Sequence, residues 1–174
     1  MSTFSKLLIA LLFLTGLSAC GSGYSFNTES KQVTSAAAEI ADFDLPASYT
    51  ADFTARMMGY TVAAFNLGDD HSHLYLIQST DEADGEKLAS MLDEVAPGSG
   101  DPQTRMTIIE TRPVTVRGQE TTLVISEGID SEGGSYRQAA VTFDGQGGPA
   151  LLVLSEPVER WDQATVDALL ASIH

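Results

Sequence analysis

Two short runs in which every residue is apolar constrain the fold more than any other feature of this 174-residue chain. They are LYLI at residues 74–77 and LLVL at residues 151–154. Successive side chains of a β-strand point to opposite faces, so a strand with one solvated face alternates apolar and polar residues. Runs that do not alternate therefore predict central strands of a sheet that is covered on both faces.

The remaining signals complete an α+β domain. Extended segments are predicted at residues 60–66, 73–79, 104–111, 113–118, 120–126, 136–143 and 149–155. Pro113 confines its segment to a sheet edge or a bulge, and short connections favour antiparallel pairing. One amphipathic helix is predicted after Asp84, with Leu88 on its apolar face, and another after Asp162. We expect a largely antiparallel sheet of about six strands with helices packed on it.

Residues 1–19 have the form of a bacterial lipoprotein signal peptide. Lys6 precedes a mostly apolar stretch at residues 7–17, which is shorter than the about 20 residues of a membrane-spanning helix. Residues 17–20, LSAC, resemble a lipobox, in which a branched and two small residues precede a cysteine that is acylated. Cys20 is the only cysteine in the chain. The alternative is an ordinary signal peptide cleaved near Ala19, which would leave Cys20 free.

Acylation of Cys20 predicts a lipid-anchored protein of the cell envelope. Each buried methylene contributes about 0.8 kcal/mol, so two or three acyl chains, palmitate among them, anchor a protein durably. In the lipoprotein families that this segment resembles, an aspartate after the cysteine favours inner-membrane retention. The resemblance therefore implies that Gly21 favours the outer membrane, with the protein facing the periplasm. Residues 20–38 are rich in Gly, Ser, Thr and Ala, which predicts a lipidated cysteine followed by a flexible tether. A single domain is then expected at residues 39–174.

The strongly acidic composition limits the class of partner. The chain has 24 acidic and nine basic side chains, for a net charge of −15. Such a surface repels the phosphates of nucleic acids, so we do not expect the protein to bind nucleic acid. The expected partners are the membrane, through the lipid anchor, and another envelope protein. No cofactor is expected.

The segment GDDHSH at residues 68–73 contains the candidate metal ligands. His71 and His73 are two residues apart, so on a strand both rings would project from one face. Asp69 and Asp70 stand beside them, and imidazole with carboxylate suits zinc and other first-row metals. Two histidines alone are an incomplete ligand set. The favoured interpretation is a polar turn leading into a strand, with metal binding as the alternative.

Two further groups of residues each allow a plain and a functional interpretation. Glu127, Asp130 and Glu132 lie in a Gly-rich loop that is either a solvated turn or a calcium site. Arginines on predicted strands either pair with surface carboxylates or line a face that binds anions; they are Arg105, Arg112, Arg117 and Arg137. We favour the plain interpretation of both groups.

Motifs for nucleophilic or nucleotide chemistry are absent from the sequence. It contains no G-x-S-x-G elbow, P-loop or dinucleotide fingerprint. The sequence therefore predicts a membrane-anchored, non-catalytic binding or assembly module. The alternative is a metal-dependent hydrolase or metal-binding protein that uses His71 and His73.

The order of these elements resembles the PsbP-like fold family, which includes the extrinsic P protein of photosystem II and many bacterial lipoproteins. The resemblance covers roughly residues 40–174 and rests on FDLPASY (43–49), VTVRGQE (114–120) and a closing helix that ends LLASI (169–173). It implies an α+β fold that is mostly used for binding and assembly. These motifs carry over no functional residues.

Overall fold

The computed structural model describes residues 24–57, 59–68, 72–79, 88, 106–129 and 133–174. Its strands are β1 (Ser25–Asn27), β2 (Thr50–Met57), β3 (Tyr60–Asn66), β4 (His73–Ser79), β5 (Thr107–Val116), β6 (Gln119–Ile129), β7 (Ser135–Asp144) and β8 (Pro149–Pro157). They form one antiparallel sheet with the order β1-β2-β3-β4-β8-β7-β6-β5. The helices with described bounds are α1 (Ser30–Ile40), α2 (Gln163–Ser172) and a 3-10 helix, Val158–Arg160.

The two fully apolar runs lie in the middle of the sheet, as predicted. β4 and β8 are neighbours, and Leu76 lies opposite Leu152 in their ladder. Leu74 and Leu76 join one apolar cluster of the domain, whereas Tyr75 and Ile77 join the other. All four β4 side chains are 2% exposed or less. The prediction of central strands covered on both faces is confirmed.

One face of the sheet, called here the helix face, is covered by α1 and α2. The buried side chains of these helices are Val33, Ala36, Ala37 and Ile40 in α1 and Val166, Leu169 and Leu170 in α2. The α1 residues fall at i, i+3, i+4 and i+7 and so form a single apolar stripe. Fully burying one Val, Leu or Ile side chain contributes about 1.5–3 kcal/mol. Among the described helices, none is long and apolar enough to cross a membrane.

The predicted cap of the closing helix is confirmed. Asp162 accepts hydrogen bonds from the Ala164 backbone N–H at 3.0 Å and from the Thr165 hydroxyl at 2.8 Å. The hydrogen bond from the Thr165 side chain, followed by that from the Ala164 backbone, lowers the pKa of Asp162. An ionised Asp162 therefore satisfies the first turn of α2 over the whole neutral pH range.

The other face of the sheet, called the opposite face, has a second apolar cluster over β2, β3, β4 and β8. Leu88 is a helical residue that is fully buried in this cluster; the rest of the helix predicted after Asp84 lies outside the described residues. Burial, with a smaller contribution from Asp52, raises the pKa of Tyr75 in the same cluster well above its usual value. Where β5, β6 and β7 continue this face, the threonines are exposed; they are Thr111, Thr115, Thr122 and Thr142.

The flexible tether predicted for residues 20–38 is wrong from Ser25 onward. Residues 25–27 form β1, and α1 begins at Ser30 and packs on the helix face. The sequence analysis did not predict α1, because two of the four buried residues in its apolar stripe are alanines, whose small side chains give a weak signal. The folded part therefore begins well before residue 39. The predicted signal peptide and Cys20 lie outside the described residues.

The sheet has eight strands, not about six. The two strands missed are β1 and β2, which are rich in polar residues, and a register shift between Ala51 and Phe53 interrupts the alternation of β2. The segments predicted at 104–111 and 113–118 are one strand, β5, which passes through Pro113 without a break. Pro113 lies on an edge strand, as its chemistry predicts.

Candidate functional site

The candidate metal ligands can be located only in part. His73 begins β4, and its ring stacks on Tyr75 with 5.6 Å between the ring centroids. Asp69, Asp70 and His71 lie outside the described residues. The part of the chain that the structure describes contains no group of three or more His, Cys, Asp or Glu residues arranged to hold a metal ion. Metal binding by this segment stays the untested alternative to a polar turn.

A buried carboxylate ties the start of β2 to the end of β8. The Tyr49 hydroxyl donates to Glu156 Oε1 at 2.7 Å, and both residues are only 6% exposed. Hydrogen bonds to charged groups contribute about 1.5–3 kcal/mol, and a buried acceptor left alone costs a similar amount. Close by in sequence, Arg160 donates to the hydroxyl of Ser72, which is fully buried, at 3.5 Å. These contacts connect the residues just before β2 and β4 to the end of β8 and to the 3-10 helix that follows it.

Of the four candidate arginines, the three that the structure describes each contact an acidic or a carbonyl oxygen. Arg112 pairs with Glu110 at 2.9 Å and also contacts Asp167 of α2. Arg137 pairs with Glu127 at 2.9 Å, which commits one of the three candidate calcium ligands to an ion pair. Arg117 donates a hydrogen bond to the Asp144 backbone carbonyl. The other members of these two groups, Arg105, Asp130 and Glu132, lie outside the described residues. The plain interpretation of the arginines fits these contacts.

The first edge of the sheet, the β1 edge, presents aromatic side chains to solvent. Tyr24 is 59% exposed and Phe26 is 68% exposed. The Phe26 ring stacks on Phe53 of β2 with 5.4 Å between centroids and 26° between planes. Because β1 has only three residues, it offers few backbone groups to a further strand. Side chains therefore dominate what this edge can bind.

The other edge, the β5 edge, is long and carries exposed isoleucines. β5 has ten residues, of which Ile108 is 64% and Ile109 is 49% exposed. Ile129, at the end of the neighbouring strand β6, is 57% exposed. A bulge separates Ile108 from Glu110, so the backbone is irregular at the isoleucines. Ile108 lies opposite Ser126, and Ile129 is three residues farther along β6, so these two side chains point to opposite faces of the sheet. The exposed isoleucines of β5 itself are therefore Ile108 and Ile109.

A small cavity lies where the β5–β6 and β7–β8 hairpins end. Its volume is about 250 Å³, and Glu120, Thr142 and Asp144 contribute polar side chains to its lining beside Leu88 and Pro149. Ligand pockets for drug-sized molecules usually measure about 300–1,000 Å³. The cavity is therefore smaller than an ordinary small-molecule site.

The sequence analysis identified neither edge as a candidate functional surface. Tyr24 and Phe26 fall in the segment that composition assigned to a tether. Their two-residue spacing is the strand signal that could have identified β1. Ile108 and Ile109 were predicted to be extended, but only the strand order shows that they belong to an edge strand.

Comparisons with known proteins give a likeness to a solved structure. No protein-family model and no curated protein matches this chain. Among solved structures, the chain is similar to the solution structure of cyanobacterial PsbP (CyanoP) from Synechocystis sp. PCC 6803. That likeness has a TM-score of 0.46 and 13% sequence identity, and it covers 91% of this chain and 98% of the other. No family membership and no residue role is carried over from it to this chain.

Proposed function

We propose that this protein is a bacterial envelope lipoprotein, acylated on Cys20, whose domain is a non-catalytic module that binds another envelope protein through the β5 edge. The observation that carries the binding role is the pair of adjacent, exposed isoleucines on β5, Ile108 and Ile109. Large apolar side chains that cluster on a soluble surface mark interaction sites more often than single ones do.

The chemistry of the β5 edge favours side-chain contacts over the addition of a partner strand. An edge strand offers its unpaired backbone N–H and C=O groups to an added strand, and neighbouring side chains select its sequence. Pro113 removes one donor from this edge, and the bulge near Ile109 bends it. The partner contact is therefore expected to centre on the isoleucines and to involve few backbone hydrogen bonds.

The lipid anchor is supported by the sequence at residues 17–20 and by the single cysteine of the chain. A Cys20→Ala variant should lose its association with membranes, measured by fractionation of the cell. The matching wild-type chain should partition into detergent and carry two or three acyl chains by mass. A Cys20→Ala protein that stays with the membranes would contradict the anchor.

Site-specific photocrosslinking tests the binding role. A photoreactive residue at position 109 should give a discrete adduct with one envelope protein in cells. The matched control places the same residue at Ala168, an exposed position on α2. Adducts that are the same at both positions, or the lack of any adduct at position 109 in a correctly located protein, would contradict the proposed function.

A further inference from the structure

We propose that the β1 edge rests on the lipid bilayer, with Tyr24 and Phe26 in the headgroup region. The sheet then stands with β1 at the membrane and β5 farthest from it. This orientation depends on the proposed acylation of Cys20 and adds to it a second point of contact. The occupant of the β1 edge is thus a phospholipid surface.

Chain length limits how far the β1 edge can be from the anchor. Cys20 and Tyr24 are separated by four residue steps. A fully extended chain spans at most about 3.6 Å per residue, so these two residues are within about 14 Å of each other in any conformation. The tether expected from composition would have allowed a longer reach. Since β1 starts at Ser25, the edge that carries Tyr24 and Phe26 is the edge held nearest to the acyl chains.

The exposed side chains of this edge have the chemistry of a membrane interface. Tyrosine combines an apolar ring with a polar hydroxyl and is enriched at the headgroup level of bilayers. Tyr24 directly precedes β1, which contains Phe26, so both exposed rings lie at this edge. The stack on Phe53 holds the Phe26 ring in place. An aromatic side chain that is already ordered loses little entropy when it enters the headgroup region.

Charge next to the β1 edge does not oppose contact with a zwitterionic surface. Lys31 lies in the first turn of α1, and Arg56 lies opposite Ser25 in the β1–β2 ladder. Arg56 forms an ion pair with Glu39, which neutralises both groups. Lys31 is two residues from Glu29, the N-cap of the same helix, so these four groups together carry no net charge. A phosphatidylcholine surface, which has no net charge, is the suitable probe.

In this orientation the strand order sets the distance between the β5 edge and the membrane surface. β1 and β5 are the first and last of the eight strands. Neighbouring strands are about 4.8 Å apart, so seven spacings separate the two edges by roughly 34 Å along the sheet. In this orientation Ile108 and Ile109 face the compartment, out of reach of the lipid to which the chain is attached. In this orientation the β1 edge contacts lipid, and the β5 edge is accessible to a partner protein.

Fluorescence quenching by brominated lipid tests this orientation. Trp161 is the only tryptophan of the chain, so a Trp161→Phe background removes competing emission. Phe26→Trp and Ile109→Trp are then introduced separately, and the acylated full chain is reconstituted into phosphatidylcholine vesicles. We expect brominated phosphatidylcholine to quench the indole at position 26 at least twofold, and to leave the indole at position 109 unquenched.

Co-sedimentation of the same samples separates failure of the anchor from failure of the orientation. Protein that does not sediment with vesicles contradicts the acylated anchor and the orientation together. Protein that sediments but shows no quenching at position 26, or equal quenching at both positions, overturns the orientation and leaves the anchor standing. Blue-shifted emission at position 26 that brominated lipid fails to quench would instead indicate contact between two copies of the chain, and it would also overturn the proposal.

Discussion

The two edges of the sheet differ in the features that limit pairing of their free backbone groups with another strand. The β1 edge is three residues long and covers part of its neighbour with the stacked ring of Phe26. The β5 edge is ten residues long and carries a bulge, Pro113 and the Glu110–Arg112 ion pair. Short strands, prolines, bulges and charges all discourage uncontrolled strand pairing. Each edge nevertheless leaves large apolar side chains exposed.

This contrast assigns a different surface to each edge. At the β1 edge the exposed groups are aromatic and lie a few residues after the predicted lipid anchor. At the β5 edge they are aliphatic and lie at the opposite end of the strand order. Aromatic rings suit a bilayer interface, whereas exposed isoleucines suit a protein surface. An upright sheet lets one domain contact a membrane and a partner at the same time.

Replacing a leucine at the centre of the sheet should have the largest effect, because it weakens the scaffold that joins the two edges. We expect Leu152→Ala to lower the free energy of unfolding by about 2–5 kcal/mol. Leu152 is 1% exposed and lies opposite Leu76. Urea unfolding followed by circular dichroism measures the loss. Thr111→Ala on the exposed part of β5 is the control, and an equal loss there would contradict the described core.

The turn that connects β7 to β8 should tolerate substitution of Gly148 poorly. Gly148 has φ of +145°, and a Cβ there would lie 2.4 Å from the Ser79 carbonyl oxygen. Strained backbone alone costs about 1–3 kcal/mol, and the clash adds to it, so Gly148→Ala should destabilise by at least about 2 kcal/mol. Gly118→Ala is the matched control, since Gly118 has φ of +77° but no atom near its Cβ position. Equal losses in the two variants would show that the clash is not real.

Removing one hydroxyl at the buried end of the sheet should have a smaller effect. Tyr49→Phe leaves the buried Glu156 carboxylate without the hydrogen bond that it accepts at 2.7 Å. We expect a loss of about 1–2 kcal/mol in the free energy of unfolding, because the variant loses one buried hydrogen bond to a carboxylate. Tyr24→Phe removes a hydroxyl from an exposed ring and should change stability by less than about 0.5 kcal/mol. Thermal unfolding of both variants at neutral pH is the measurement.

The smallest expected effect compares the edges directly, with the protein free of membranes. Phe26→Ala removes a stacked ring and should cost about 0.5–1.5 kcal/mol. Ile109→Ala removes an exposed side chain at a bulge and should change stability by less than about 0.5 kcal/mol. Both are measured on the Cys20→Ala form in urea. A larger loss at Ile109 would mean that this residue is part of the fold and not a free binding surface.

The centre of the fold could be predicted from the sequence because doubly apolar strands such as residues 74–77 have few alternatives. The cap at Asp162 and the edge position of Pro113 were also predictable, since each follows from local backbone chemistry. β2 was missed because its bulge at Ala51–Phe53 breaks the period of two. α1 was missed because its stripe relies on Ala36 and Ala37, whose small side chains give little signal.

The candidate surfaces depend on strand order, which the sequence does not encode locally. Nothing in TIIETRPVTV says that this strand has one neighbour, and it becomes an edge only because β8 pairs between β4 and β7. The sequence did identify His71 and His73 as the most chemically suggestive pair, and that hypothesis stays a prediction. The structure adds only that the His73 ring packs on Tyr75.

Hydrogen exchange of the acylated protein on vesicles tests the central claim most directly, because it reports on both edges in one sample. The reference is the Cys20→Ala form in solution, measured under the same conditions. The account predicts that amides at residues 24–27 exchange several-fold more slowly on phosphatidylcholine vesicles, whereas those at residues 107–112 keep their rates. Slower exchange at residues 107–112, or unchanged rates at residues 24–27 in vesicle-bound protein, would contradict it.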